Sequence, residues 1–141
     1  MTAAIAEQPT RADIPAEETW NLASYYPSDA AWEADLAAAP GLIAKAVEHR
    51  GNLGESADRL KQALDDVNAA SLMIERLATY AHMRRDEDLS NSDRQARYDR
   101  AITLAIGAGQ QLAFFKPELL QLDADPHLTL GVDPPDHALH Q

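Results

Sequence analysis

Ser56 to Asp88 reads SADRLKQALDDVNAASLMIERLATYAHMRRDED. Small and apolar residues recur at Ala57, Leu60, Leu64, Val67, Ser71, Ile74, Leu77 or Ala78, and Ala81. Steps of three and four place such residues in one stripe along one side of a helix. Neither Pro nor Gly interrupts the run. Ser56 is a good N-cap, because its hydroxyl can accept a bond from an otherwise unpaired amide of the first turn. A helix of this length extends for about 45 Å, long enough to span the whole body with other helices lying against it. Periodicity of this kind predicts a framework and names no chemistry. The run closes on the most unusual local text in the chain, Tyr80-Ala81-His82-Met83-Arg84-Arg85-Asp86-Glu87-Asp88.

On the N-terminal side, a second helix is expected from the Ser28 cap to Arg50. Trp32, Leu36, Leu42 or Ile43, and Val47 give its buried side. Pro40-Gly41 is expected to kink it rather than end it. Gly51 can take the left-handed conformation that closes a helix, and Gly51-Asn52-Leu53-Gly54 turns the chain into the central helix. On the C-terminal side, Leu89 to Asp93 is a polar turn with cap residues. A third helix then runs from about Asp93 to Phe115. Tyr98, Ile102, Ala105 or Ile106, Gly109, Leu112 and Phe115 or Ala113 mark its inner side. Gly107 and Gly109 lower its helix propensity by about 1 kcal/mol each, and close approach of a neighbouring helix is the expected return. Pro117 breaks the run and can start a short turn over 118–122.

The expected fold class is all-α: an antiparallel up-down-up bundle of about three main helices with flexible ends. Residues 1–18 read as a mobile arm, 19–122 as the helical domain, and 123–141 as a Pro- and His-rich tail without a helical stripe. Trp20, Tyr25 and Tyr26 are expected to pack onto the helices.

The 141 residues suffice for one domain, and the 23 acidic against 12 basic residues give a net charge of −11. That balance argues against nucleic acid, whose binding rests on neutralising phosphates with Lys and Arg, and against anionic membranes. With no cysteine, disulfides, thiolate metal sites and a cysteine nucleophile are excluded. The N-terminus has neither the basic nor the apolar region of a secretory signal, and no stretch reaches the roughly 20 apolar residues that span a bilayer. A cytoplasmic location is the expectation.

The helical zinc signature His-Glu-x-x-His is absent: Met83 follows His82, and no His stands four residues on. His137 and His140 are spaced i, i+3, and His127 adds a third nitrogen. These are the candidate metal ligands, against the plainer reading of histidines scattered in a tail. No nucleophile elbow and no phosphate-cradling glycine loop occurs. Tyr80, His82, Arg84, Arg85, Asp86 and Asp88 form a candidate polar cluster at the end of the central helix. Carboxylates there oppose the helix dipole, and pairing with Arg84 and Arg85 offsets this.

Five blocks in order carry a resemblance. They are Trp20-Asn21-Leu22; Tyr26-Pro27-Ser28-Asp29-Ala30-Ala31-Trp32; Leu77 to Asp88; Tyr98-Asp99-Arg100-Ala101; and Phe114-Phe115-Lys116-Pro117-Glu118-Leu119-Leu120. Together they resemble the N-terminal region of oligoendopeptidase F, a family of zinc metallopeptidases. The resemblance implies a helical region packed over a larger helical domain that carries His-Glu-x-x-His and a further Glu ligand. The two parts enclose a channel where short peptides are cleaved by zinc-activated water. None of those catalytic residues is in this chain. The implied reading is therefore a substrate-channel module without a catalytic or metal residue of its own, inactive alone, with zinc and oligopeptide belonging to the full-length enzyme. Its implied partner is the missing catalytic domain. The alternative is a stand-alone helical interaction module that self-associates. The resemblance stops after Leu122, so the tail reads as a shifted reading frame or an unrelated extension.

Overall fold

The computed structural model describes residues 7–124. Four helices follow one another: α1 (Asp29–Val47), α2 (Ala57–Asp86), α3 (Ser92–Gln111) and α4 (Phe115–Ala124). Three single 3-10 turns precede them, at Arg11–Asp13, Ala16–Glu18 and Leu22–Ser24. No strand occurs among the described residues. The expected all-α bundle is what the chain forms.

Each main helix starts where a cap residue permits it. The Ser28 hydroxyl accepts from the amide of Ala31 at 3.2 Å, and that of Ser56 from the amide of Arg59 at 3.0 Å. The Asn91 side chain accepts from the amides of Asp93 and Arg94, both at 3.1 Å. Gly51, at φ +80°, makes the turn between α1 and α2, a conformation that costs a residue with a Cβ far more. The Glu118 carboxylate locks this turn from α4, accepting from the Gly51 amide at 2.8 and 2.9 Å.

α1 runs unbroken through Pro40. Pro40 lies on the exposed side, where water can take the backbone bond that proline cannot make. Beyond α3, the break expected before Pro117 falls earlier. The chain turns over residues 112–114, and Pro117 sits in the first turn of α4. Amides of a first turn have no helical partner in any case, so proline costs little there. α4 is accordingly longer than the expected turn over 118–122.

α2 is the centre. α1 and α3 each pack along it and touch each other only lightly. Trp32 of α1 is fully buried, and its indole N–H donates to the Leu77 carbonyl of α2 at 2.9 Å. Around it lie Leu22, Tyr26, Ala39, Leu77, Tyr80, Ala81 and Ala101. A second cluster, Ile43, Ala70 and Ala108, continues the core along the helices. Tyr26 is buried as expected, but Trp20 is 81% exposed.

The helices stand where the sequence puts them, but their rotation differs. Fully buried α2 positions are Ala63, Ala70, Leu77, Tyr80 and Ala81. Ser71 and Ala57 are exposed, and Leu64 is 38% exposed. In the first half of α2 burial thus falls one residue before the expected stripe, on Ala63 and Ala70 rather than Leu64 and Ser71, whereas Leu77 and Ala81 are buried as expected. α3 shows a similar partial shift: Ala101 and Ala108 are buried, Tyr98 and Leu112 pack partly buried against the core as expected, and Ile106 is 60% exposed and Gly109 exposed. The reason is steric. Where α2 is gripped from two sides, alanines let the axes approach, and Leu60, Val67 and Ile74 fill the flanks, half-buried. The expected role of the glycines also fails. A Cβ built at Gly107 or Gly109 meets nothing within 4 Å, so neither admits a close neighbour.

Candidate functional site

The polar cluster gathers where the N-terminus of α1, the C-terminus of α2 and the first half of α3 meet. Glu87 is its hub. Its carboxylate pairs with Arg84 at 2.6 Å, Arg11 at 3.0 Å and Arg94 at 3.1 Å. The Glu87 side chain is only 14% exposed, and three guanidinium groups compensate a carboxylate held partly out of water. Arg94 also donates to the Arg84 carbonyl at 3.0 Å. It thereby satisfies an unpaired carbonyl at the negative end of α2.

A second layer sits beneath. Asp29, in the first turn of α1, accepts from the Tyr80 hydroxyl at 2.8 Å. Arg84 and Arg97 approach it at 3.8 and 3.4 Å. One turn on, Glu33 takes a two-pronged grip from Arg100 at 2.8 and 2.9 Å. The hydrogen bonds from Arg100 hold the Glu33 carboxyl below its usual range. Burial, then the hydrogen bond to Asp29, raises the Tyr80 hydroxyl above its usual value. Tyr26 meets Tyr80 edge to face at 5.3 Å between ring centres. Its hydroxyl donates to Asp35 at 2.9 Å and is pushed up to about 12, by burial first and that bond second. Both phenols therefore stay protonated at neutral pH and act as donors.

The rest of the expected cluster lies on the rim. Asp86 pairs with its neighbour Arg85 at 2.9 Å and with His82 at 3.2 Å. Arg85 stacks over Tyr98 at 4.1 Å. Asp88 caps the following turn, accepting from the Ser90 amide and hydroxyl at 3.1 and 2.6 Å. Tyr80, His82, Arg84, Arg85 and Asp86 thus all have partners within the chain, but Asp88 is engaged only locally. Sequence reasoning did not single out Glu87 as the hub, nor Asp29, Glu33, Arg94 and Arg97. One signal was available: Asp29 and Glu33 are spaced i, i+4, and Arg94, Arg97 and Arg100 step by three, so each set shares a helix face.

Another polar contact ties the far end of α1 to α2. The imidazole Nε2 of His49, a buried residue, lies 2.7 Å from Asp66, and Lys45 reaches the same carboxylate at 3.1 Å. The His49 bond, more than Lys45, holds the Asp66 carboxyl below its usual range.

The described residues bring no three His, Asp or Glu side chains together for a metal ion. Around the hub, arginines occupy the carboxylate oxygens that a cation would need. The donor set therefore does not fit zinc. His127, His137 and His140 lie outside the described residues. No helix among the described residues is long and apolar enough to cross a membrane.

The chain is 38% identical over 117 residues to oligopeptidase PepF of Bacillus subtilis, an alignment covering 83% of this chain. It is 30% identical over 116 residues to the plasmid oligoendopeptidase F of Lactococcus lactis, and 25% identical over 126 residues to the group B oligopeptidase PepB of Streptococcus agalactiae. The chain belongs to the oligoendopeptidase F family. It spans only 18% of the length of the Bacillus relative and 19% of the Lactococcus one. No protein-family model matches the chain, and no solved structure does. Within this oligoendopeptidase F sequence, Asp29, Tyr80, Arg84, Glu87 and Arg100 all fall inside the blocks that carry the resemblance. Those blocks therefore include part of the network that fastens α1, α2 and α3 together, with Glu33, Arg94 and Arg97 lying between them.

Proposed function

We propose that these helices are the N-terminal module of an oligoendopeptidase F-type zinc peptidase acting on short peptides. The module forms part of the substrate channel wall. The supporting observation is 38% identity over 83% of this chain against 18% of the relative's length. A module of that kind needs a rigid frame rather than a reactive group, and the Glu87–Asp29–Glu33 arginine network supplies one. Zinc, its ligands and the general base belong to another part of a family-length protein. The 141-residue chain is inactive alone. To check this, the purified chain is incubated with zinc and a fluorogenic oligopeptide. No chelator-sensitive turnover is expected, and such turnover would overturn the reading.

A second reading is a stand-alone assembly module. The exposure of Leu72 at 61% and Ile106 at 60% favours it. Sedimentation decides between them, since self-association at micromolar concentration is expected only for the second.

A further inference from the structure

The segment before α1 divides sharply at Leu22. From there on it is built into the core: Leu22 and Tyr26 are buried in the cluster around Trp32, and Arg76 of α2 donates to the Tyr25 carbonyl at 2.8 Å. Before it, none of residues 7–21 is buried. Side-chain bonds there are mostly local. The Thr10 hydroxyl donates to Asp13 at 2.6 Å, and that of Thr19 to the Ala16 carbonyl at 2.7 Å. Among the described residues, one side-chain bond alone ties residues 7–21 to the helices, from Arg11 to Glu87 at 3.0 Å. Packing adds little to it. Ile14 is half-buried, and with Trp20, Leu22 and Met83 it lines a cavity of about 320 Å³ between this segment and the end of α2.

The tie is asymmetric. The Arg11 side chain is 37% exposed and that of Glu87 14%. When Arg11 leaves, Glu87 keeps Arg84 at 2.6 Å and Arg94 at 3.1 Å. Release therefore strands no charge away from water, which is the step that makes breaking a buried pair costly. The departing guanidinium is already partly in water, where an ion pair contributes little and is screened by salt. Against that small gain stands the backbone freedom that the ordered segment gives up.

We infer that residues 7–21 form a strap across the C-terminal end of α2, with Leu22 as its fixed end and the Arg11–Glu87 pair as its latch. The strap opens while the bundle stays folded, a local opening of the kind that weakly held segments undergo. Opening uncovers the cavity and the Met83 side chain that lines it. Ionic strength sets how often this happens.

Met83 supplies the readout and Met73 of the same helix the control, since both are half-buried and pack against the same core cluster. Dilute hydrogen peroxide converts an accessible methionine thioether to the sulfoxide. Peptide mapping by mass spectrometry follows the two positions separately in the 141-residue chain. In Arg11→Gln, Met83 is expected to oxidise at least about threefold faster than in the unsubstituted chain, with Met73 unchanged, because only the open population grows. Arg11→Lys keeps the charge and is expected to stay close to the unsubstituted rate. Sodium chloride at about 0.5 M is expected to speed Met83 oxidation in the unsubstituted chain and to leave Arg11→Gln as it is. The melting temperature of Arg11→Gln is expected to fall by no more than about 3 °C. A smaller gain at Met83 overturns the latch. Equal acceleration of Met83 and Met73, or a larger fall in melting temperature, makes Arg11 part of the frame and overturns the strap.

Discussion

The two halves of α3 are built for opposite purposes. Ser92 to Arg100 carries Asp93, Arg94, Arg97, Asp99 and Arg100, whereas Ala101 to Phe115 carries no charge. In the first half, Arg94, Arg97 and Arg100 reach across to Glu87, Asp29 and Glu33. In the second half, contact with α2 depends on small residues, and the outward row is left open. One helix therefore fastens the bundle at one end and is left bare at the other. The lesson concerns completeness. A charged cluster with its bonds made inside the chain belongs to the frame, while an uncharged row with nothing against it adds nothing to that frame.

The sharpest way to break this comparison is at the hub. Glu87→Gln keeps the shape but removes the charge facing three arginines. A loss of about 1–3 kcal/mol is expected in urea melts, because partly buried guanidinium groups lose their acceptor. A loss under about 0.5 kcal/mol would mean that the charged end does not hold the frame. In the uncharged half, Gly107→Ala is expected to stabilise the chain by up to about 1 kcal/mol in the same melts, since a Cβ there meets no atom within 4 Å. Destabilisation would reveal a packing role for that glycine.

Acid provides a subtler probe of the charged half. Glu33 has its carboxyl lowered below the ordinary 4.5, chiefly by the Arg100 hydrogen bonds. Its contribution is fully present above the ordinary value and is lost as pH falls through the lower, folded-state value. Glu33 is 42% exposed, so screening keeps the effect below about 1 kcal/mol. Glu33→Gln is expected to flatten stability against pH only below the ordinary glutamate range, with no change in slope between neutrality and that range. Asp86→Ala is expected to have the smallest effect, under about 0.5 kcal/mol by thermal melt, because Asp86 is 51% exposed. A loss of several kcal/mol would move the hub from Glu87 to the rim.

The helices were legible because their signals are local. The Ser28 and Ser56 caps, the Gly51 turn and the unbroken run from Ala57 each report on their own few residues. Rotation was not legible, because it depends on how many neighbours share a helix. Leu64 and Ser71 fit a stripe facing one partner, but α2 has two, and burial there falls on Ala63 and Ala70, while Leu77 and Ala81 are buried as the stripe predicts. At the end of α2 the ion pairs converge on Glu87, a residue the sequence did not single out. His82, Arg85 and Asp86 stood out as text, whereas Glu87 is distinguished only by arginines from two other segments. Arg11 shows the same limit. Nothing in an aperiodic stretch announces that its side chain reaches a glutamate 76 residues away.

The two tryptophans sit in opposite surroundings, Trp32 at 0% exposure and Trp20 at 81%. Excited indoles emit at shorter wavelength in dry surroundings than in water. The chain therefore contains two optical reporters of different colour. The blue component follows the α1–α2 core, and its loss on unfolding is the direct readout for the melts above. The red component follows the segment before α1, and acrylamide quenches it first. Trp20→Phe removes one and leaves the other, so the unfastening of the N-terminal segment and the melting of the bundle can be timed separately in the same molecule.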